Sequence, residues 1–352
     1  MKPAKIKTTP VQWILSTLNF ILHRLQRGSY STDLSEEEKQ FMWKFRSCLK
    51  SNPRALVKFI RSVHWEAEVE IEEAMKAVME WESVDTCDAL ELLGPSFSHP
   101  FVRSYAVSQL QNAKPGSILM YLPQLVQALR YEKDVPARSA ACKCGNIATF
   151  LYWYLKVETE ASAQVDRSIS VMYEGMMGKL NGALAEGNKR SRRSLLSIER
   201  QRKFVDALRL DVLKTKLAES NEFLDLKGLS LPVDPSVLIK NIQVESTLLY
   251  ASNMMPMRLT FTTMKNQSYT TIFKRGDDLR QDQLVSQMIR LMDSLLKERN
   301  LDLRLTTYSV LATGVSEGFV QSSRQLRWRN SKTFKILYDR MAAPPLMLLK
   351  QS

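Results

Sequence analysis

The residues best suited to chemistry in this sequence surround Lys274. Lys274 ends a segment of aromatic and β-branched residues, a composition typical of a strand. Gly276 provides the backbone freedom for a tight turn, and Asp277 or Asp278 can cap a following helix. A strand lysine that faces a helix carboxylate can hold a nucleotide phosphate. The pattern therefore indicates a nucleotide-binding half-site, and a surface lysine at a strand end is the alternative.

The helix after this turn is indicated by apolar residues that recur at helical spacing on one face. They are Leu284, Met288, Leu291, Met292, Leu295 and Leu296. We expect this helix to be buried and to pack behind Lys274.

Composition sets the class of protein. A chain of 352 residues with 44% apolar and 25% charged residues is long enough for two domains, or for a solenoid and one domain. The net charge of +13 favours an acidic partner, and nucleic acid and anionic lipid headgroups both qualify. Cys142 and Cys144 have no second cysteine pair or nearby histidine, so we expect no metal site and a reducing compartment.

The first 33 residues are predicted to be an N-terminal extension. Asn19, His23 and Arg24 interrupt an apolar run that otherwise resembles a signal peptide. A packed amphipathic helix or an unstructured extension is the expectation. No stretch of the sequence is long and apolar enough to span a bilayer.

Residues 34–186 are predicted to form an α-solenoid. Ser35 and Glu38 make a capping box, and helix pairs begin near Glu36, Ala67 and Pro100 with short connections. Pro123 is expected to kink its helix. Residues 146–157 are apolar on all sides and predict a buried helix.

The isolated histidines and the tryptophans of this region are expected to have structural roles. His64 and His99 are expected to be packed or surface residues, not ligands. Trp43, Trp65 and Trp81 are expected in the core at helix seams.

Two long helices are predicted over residues 168–217, and their joint at residues 187–193 is strongly basic. This joint could meet phosphate, and a solvated helix turn is the alternative. Residues 187–227 are predicted to be a helical linker, with a Gly- and Pro-containing connector over residues 228–235.

Strand composition follows the connector. Strands are predicted over residues 237–242, 247–250, 257–263, 269–274, 301–305, 308–312 and 317–321. An antiparallel sheet with one packed helix is the expected fold of residues 228–321, in the form of a kinase N-lobe.

Several segments resemble one enzyme family. The segment Phe273-Lys-Arg-Gly-Asp-Asp-Leu-Arg-Gln-Asp-Gln283 resembles the signature of phosphatidylinositol 3-kinases, and Leu301-Asp-Leu-Arg-Leu-Thr-Thr-Tyr-Ser-Val-Leu-Ala-Thr-Gly314 continues it. Helical phrases such as Trp43-Lys-Phe-Arg46 and Leu151-Tyr-Trp-Tyr154 are similar to the class III catalytic subunit. The resemblance covers residues 34–321 and implies a helical accessory (PIK) domain followed by a PI3/4-kinase N-lobe.

The resemblance also implies an activity and a site. The family phosphorylates the 3-hydroxyl of phosphatidylinositol with ATP and a divalent metal, Mg or Mn. It implies that Lys274 contacts ATP phosphate, that Asp282 and Tyr308 line the back of the pocket, and that Ile272 forms its wall. The loop over the phosphates would be Ser252, Asn253, Met254, Met255 and Pro256.

Motifs that the family places after the N-lobe do not occur in this sequence. No histidine follows His99, so an Asp-Arg-His loop is absent, and Asp-Phe-Gly occurs nowhere. Residues 322–352 do not resemble the family and are predicted to be a divergent, disordered tail. We therefore expect a chain truncated in the kinase N-lobe, with no catalytic residue or metal ligand, which transfers no phosphate alone.

Two functions from different classes stay open. The first is a class III phosphatidylinositol 3-kinase, acting in endosomal trafficking and autophagy. The second is a non-catalytic helical scaffold that competes for the kinase's partners. The resemblance implies a regulatory protein-kinase-like subunit and beclin-type coiled-coil proteins as partners, and no nucleic acid. It places the chain in the cytoplasm, peripheral on endosomal or autophagic membranes.

Overall fold

The computed structural model describes residues 34–131, 144–209, 226–250 and 256–322. Helices occupy the first two ranges, and an antiparallel sheet with one long helix occupies the last two, as predicted. The predictions for residues 1–33, Cys142 and the tail after Ser322 lie outside the described residues.

Eleven α-helices are described before the sheet begins. They are α1 Glu36–Lys44, α2 Arg46–Leu49, α3 Leu56–Ser62, α4 Glu68–Met79, α5 Thr86–Glu91, α6 Pro100–Asn112, α7 Pro115–Met120, α8 Leu122–Ala128, α9 Gly145–Ser162, α10 Arg167–Glu186 and α11 Lys189–Arg209. The predicted capping box begins α1, because the backbone N–H of Glu38 donates to Ser35 Oγ and that of Ser35 to Glu38 Oε2.

Aromatic packing holds the first helices together. The Phe59 ring stacks between Trp43, at 6.0 Å, and Trp81, at 5.0 Å. Trp65 stacks on His99 at 4.4 Å, whereas the side chain of His64 is exposed. Trp81 is buried in the core as predicted, whereas Trp43 and Trp65 are only partly buried against it.

Pro123 separates two helices and does not kink one. The helix α7 ends at Met120, and Pro123 lies in the first turn of α8. A proline is accommodated there because the first N–H groups of a helix have no partner within the helix.

Among the described residues, seven antiparallel strands form one sheet in the order β1-β2-β4-β5-β7-β6, with β3 paired to β4. The strands are β1 Leu229–Leu231, β2 Asp234–Ile242, β3 Leu248–Leu249, β4 Met257–Thr263, β5 Ser268–Arg275, β6 Val310–Gly314 and β7 Glu317–Gln321, and helix α12, Arg280–Glu298, lies between β5 and β6 in sequence.

The predicted connector over residues 228–235 is wrong, because it contains β1 and the start of β2. Gly228 turns the chain with a φ of 75°, and its N–H donates to Ile239 O at 2.7 Å. Leu229 and Leu231 are buried in the core. The segment forms a strand because burial of these leucines outweighs its turn-forming composition.

The predicted strand over residues 301–305 is also wrong, and the 308–312 strand is displaced to Val310–Gly314. Asp302 Oδ1 accepts the N–H of Arg304 at 2.9 Å, and Arg304 has a φ of 51°. Leu301 and Leu303 are exposed, so no buried face favours a strand. The predicted 247–250 strand shrinks to two residues.

The helical region and the sheet share one core. The helix α9 is buried along much of its length, as predicted, and α11 lies between it and β1. Trp153 Nε1 of α9 donates to Gln201 Oε1 of α11 at 2.9 Å, and Gln201 Nε2 donates to Ser230 O of β1 at 3.0 Å. Phe204 of α11 then packs on Phe261 and Phe319 of the sheet.

Helix α12 contradicts the prediction of a buried apolar face. Ser286 is its buried residue, and it lies on the polar side that faces the sheet. Leu284, Met288, Met292 and Leu295 are each 38–49% exposed. The sequence period showed which residues share a face but could not show which face a neighbouring element covers. Within the described ranges, no helix is both long and apolar enough to cross a bilayer.

A buried carboxyl in α5 makes stability depend on pH. Burial, together with the negative charges of Asp85 and Glu91, raises the pKa of Asp88 to about 7. Because this pKa lies above its unfolded value of about 3.9, the native state binds the proton more tightly. The contribution of Asp88 to the free energy of unfolding is therefore fully present below the unfolded pKa. It is lost as the pH rises through the folded pKa of about 7.

We expect Asp88→Asn to remove this loss. From pH 4 to pH 8 the free energy of unfolding should fall less in Asp88→Asn than in the wild type, by on the order of 2–4 kcal/mol. Urea unfolding across that pH range measures the difference. Glu82→Gln, at an exposed position, is the control and should follow the wild type. Parallel pH profiles for Asp88→Asn and the wild type would show that Asp88 does not hold the proton.

Candidate active site

The predicted site begins at the end of β5, where the chain turns towards α12. Lys274 pairs in register with Gly318 of β7. Gly276 has a φ of 83°, and its N–H donates to Ser316 O at 2.7 Å. The turn after Lys274 is therefore tied to the loop between β6 and β7.

The helix that follows begins differently from the prediction. The N-cap of α12 is Leu279, which has no side-chain cap hydrogen bond, and neither Asp277 nor Asp278 is at that position. Asp278 Oδ1 still accepts the N–H of Arg280 at 3.0 Å and also pairs with its guanidinium. The positive end of the helix dipole stabilises a carboxylate at this position.

Asp277 instead pairs with the lysine. Lys274 Nζ lies 3.0 Å from Asp277 Oδ2, and the two side chains are 30% and 41% exposed. The residues alone predicted a helix carboxylate as the partner of Lys274. The partner is a turn carboxylate three residues on, and only the spacing around Gly276 could have pointed to it.

Asp282 lies in the first turn of α12 and near enough to Lys274 to feel its charge. Burial raises the pKa of Asp282, and the positive charge of Lys274 opposes that shift. The lysine therefore has two carboxylates near it, one paired with it and one half-buried.

Tyr308 and Ile272 contact one apolar cluster near this turn. Both pack at the edge of a small apolar cluster of Val157, Leu279, Val310, Ala312 and Val320. Burial raises the pKa of Tyr308, and the charge of Asp282 adds to the rise, so the phenol stays protonated beside that carboxylate. The structure thus brings together Lys274, Asp282, Tyr308 and Ile272.

Helix α12 fixes the position of Tyr308 through its polar side. Ser286 Oγ donates to Tyr308 O, and Arg290 Nη2 donates to the same oxygen at 3.0 Å. Gln283 Oε1 accepts the N–H of Ala312 at 3.0 Å. The resemblance includes Gln283 in its signature but gives none of these three residues a role, and their i, i+3, i+7 spacing on one helix face is the signal that could have found them.

The predicted phosphate loop is only partly described. Ser252, Asn253, Met254 and Met255 lie outside the described residues. Pro256 O accepts the N–H of Tyr250 at 3.1 Å, which closes the base of the loop. Met257, the next residue, pairs with Phe273, so the loop leaves the sheet beside the lysine strand.

Other features do not join this site. A cleft of about 300 Å³ lies between α8, α9 and the start of α12, and Lys274, Asp282 and Tyr308 do not line it. Among the described residues, no group of three or more His, Cys, Asp or Glu side chains could hold a metal ion.

Two family models match the chain. The accessory domain (PIK domain) of the phosphoinositide 3-kinase family matches residues 19–189. The phosphatidylinositol 3- and 4-kinase model matches residues 268–331 and includes the Lys274 turn. The chain belongs to the phosphatidylinositol 3-kinase family. The second match runs ten residues past Gln321, where the resemblance was predicted to stop.

Named relatives agree with the class III resemblance. The phosphatidylinositol 3-kinase catalytic subunit type 3 of Caenorhabditis elegans is 36% identical over 84% of this chain and 42% of its own length. The phosphatidylinositol 3-kinase pik3 of Schizosaccharomyces pombe is 40% identical over 83% of this chain and 39% of its own. The phosphatidylinositol 3-kinase VPS34 of Arabidopsis thaliana is 38% identical over 91% and 41%. The chain spans about two fifths of the length of these relatives.

In this phosphatidylinositol 3-kinase family chain, we expect Gln283→Ala to loosen β6, the strand that follows Tyr308. The N–H of Ala312, a residue 1% exposed, would lose its side-chain acceptor. The free energy of unfolding should fall by about 1–3 kcal/mol in urea titration. Gln281→Ala, at an exposed position of the same turn, should change it by less than about 0.5 kcal/mol. Equal effects of the two substitutions would contradict this role of Gln283.

Proposed function

We propose that this chain carries the ATP-phosphate-binding part of a class III phosphatidylinositol 3-kinase, which phosphorylates phosphatidylinositol at the 3-hydroxyl. One observation carries the proposal. Lys274, the second-to-last residue of β5, has its amine 3.0 Å from Asp277, with half-buried Asp282 near enough to interact with its charge and Tyr308 near Asp282.

The described residues fit a nucleotide phosphate. The amine of Lys274 is partly exposed, so a phosphate oxygen can reach it in exchange for Asp277. Asp282 is partly desolvated, which strengthens its interaction with the nearby ammonium. Met257, which follows the predicted phosphate loop, pairs with Phe273 next to this lysine. ATP, when bound, would supply the phosphoryl group, and the role of Lys274 would be to hold phosphate oxygens and neutralise their charge.

The divalent metal rests on the resemblance alone. Asp277 and Asp282 are the carboxylates near Lys274, and the described residues offer no group of three or more metal ligands. We therefore assign Mg or Mn to no residue of this chain.

Nucleotide binding is the activity to test on this polypeptide. Its 352 residues contain neither Asp-Arg-His nor Asp-Phe-Gly, the motifs that the resemblance assigns to the catalytic loop and metal site. We propose that the 352-residue chain binds nucleotide and transfers no phosphate alone. Metal-dependent phosphorylation of phosphatidylinositol by the purified chain would contradict the second half of this proposal.

Removing the lysine should weaken nucleotide binding. Hydrogen bonds to charged groups contribute about 1.5–3 kcal/mol, so Lys274→Met should raise the Kd for ATP by about 10- to 100-fold. Titration calorimetry or a fluorescent ATP analogue measures it. Lys265→Met, on the exposed turn between β4 and β5, is the matched control. Unchanged binding in Lys274→Met would overturn the site.

Removing the carboxylate of Asp277, which competes with phosphate for Lys274, should strengthen ATP binding. The exposed Lys274–Asp277 pair contributes at most about 1 kcal/mol, and its loss frees the amine for phosphate. Asp277→Asn should therefore lower the Kd for ATP by about two- to fivefold. Asp278→Asn is the control because Asp278 pairs with Arg280 instead. Weaker binding in Asp277→Asn would show that Asp277 assists the phosphate site.

The second candidate function is a non-catalytic helical scaffold that competes with the kinase for its partners. The exposed apolar side of α12 favours it, because such a surface marks interaction sites. By resemblance, the partners would be a regulatory protein-kinase-like subunit and beclin-type coiled-coil proteins on endosomal or autophagic membranes. Co-purification of those proteins with both the wild type and Lys274→Met would favour the scaffold. Loss of partners in Lys274→Met would count against it.

A further inference from the structure

Helix α11 presents a basic stripe on the side opposite its buried face. Within 21 residues it has eight Lys and Arg against two acidic residues, Glu199 and Asp206. Five of the basic residues recur at three- and four-residue spacing and so share one side of the helix. They are Lys189, Arg192, Arg193, Arg200 and Lys203.

The core holds this stripe in one orientation. Ile198, Gln201, Phe204, Val205 and Leu208 are each at most 1% exposed, and they fix the other side of α11 against α9 and the sheet. A helix packed in this way cannot rotate its basic side inward without exposing that core.

Much of the charge on the stripe is not neutralised by the protein. Within the described part of the chain, Lys189, Arg193 and Lys203 have no carboxylate within ion-pair distance. Asp206 pairs with Arg209 at 3.0 Å, and the exposed Glu199 lies at the edge of the stripe.

An exposed leucine lies in the middle of this charge. Leu196 falls on the same helix side as Lys189 and Lys203 and is 58% exposed. Long basic side chains around a protruding apolar residue suit an interface with charged headgroups above and acyl chains below. The aromatic side chains that stack on nucleic-acid bases are missing, because Phe204 is the one aromatic residue of α11 and it is buried.

We propose that the basic stripe of α11 docks on the surface of an anionic phospholipid bilayer, with Leu196 at the headgroup boundary. The side chains would meet lipid phosphate and carboxylate groups by charge, and no chemical step takes place there. The stripe is remote in sequence from the Lys274 turn, and its binding needs no nucleotide. The proposal therefore goes beyond the nucleotide site, and Lys274→Met should keep vesicle binding unchanged.

The test is sedimentation of the purified chain with vesicles. We expect binding to vesicles of phosphatidylcholine with phosphatidylserine, weak binding to phosphatidylcholine alone, and loss of binding as salt shortens the Debye length. Each basic side chain near such a surface contributes about fivefold to binding. Arg193→Glu with Lys203→Glu should therefore weaken binding by about 25-fold or more, and Leu196→Ser should weaken it further. All three positions are solvent-exposed, so circular dichroism should show an unchanged fold.

A matched double variant separates the stripe from net charge. Lys240→Glu with Lys265→Glu changes the net charge equally but lies on the exposed side of the sheet hairpins, and it should bind like the wild type. The proposal is overturned if the wild type does not prefer the anionic vesicles or if the two double variants bind alike. It is also overturned if the α11 variant loses affinity for a single-stranded RNA oligonucleotide and keeps its affinity for vesicles.

Discussion

The fully buried amide of Gln201 is the constraint on which the arrangement of this chain depends. A polar group without access to water must find hydrogen-bond partners, because leaving one unpaired costs about 1–3 kcal/mol. Gln201 finds them in the indole of Trp153 on one helix and in Ser230 on the first strand of the sheet. The observed placement of the sheet on the helices satisfies both ends of the amide, so Gln201 ties the two regions together.

Further hydrogen bonds connect the helices to the strands and the helix that surround the candidate site. Arg209 donates to both carboxylate oxygens of Glu317, at 2.9 and 3.0 Å, at the start of β7. Lys156 of α9 donates to Thr313 O of β6 at 3.1 Å. Gln287 of α12 donates to Gln124 Oε1 of α8 at 2.9 Å. The strands and helix around Lys274 are therefore held from the helical side, which explains how the helical region can position the candidate site.

The sequence predicts the parts of the structure that depend on local pattern. Helices with strong 3.6-residue periodicity and caps, such as the Ser35 helix, and the strands at residues 257–263 and 317–321 were correctly predicted. The Lys274 turn was also found, because a β-branched run, a glycine and acidic residues mark it locally. The contacts that were missed are set by tertiary packing. The strand Leu229–Leu231 forms because its leucines are buried, and the apolar side of α12 is exposed because a polar side, with Ser286 at its centre, meets the sheet. Neither outcome is encoded in the spacing of residues alone.

The central claim is that the helices and the sheet share one core and therefore open as one cooperative unit. Native-state hydrogen exchange in low denaturant tests it most directly, because it gives an opening free energy for each segment. We predict that the slowest amides of α9 and α11 and those of β4, β5 and β7 have the same opening free energy and the same denaturant dependence. Sheet amides that open more than about 2 kcal/mol below the helical ones, with a smaller denaturant dependence, would contradict the claim.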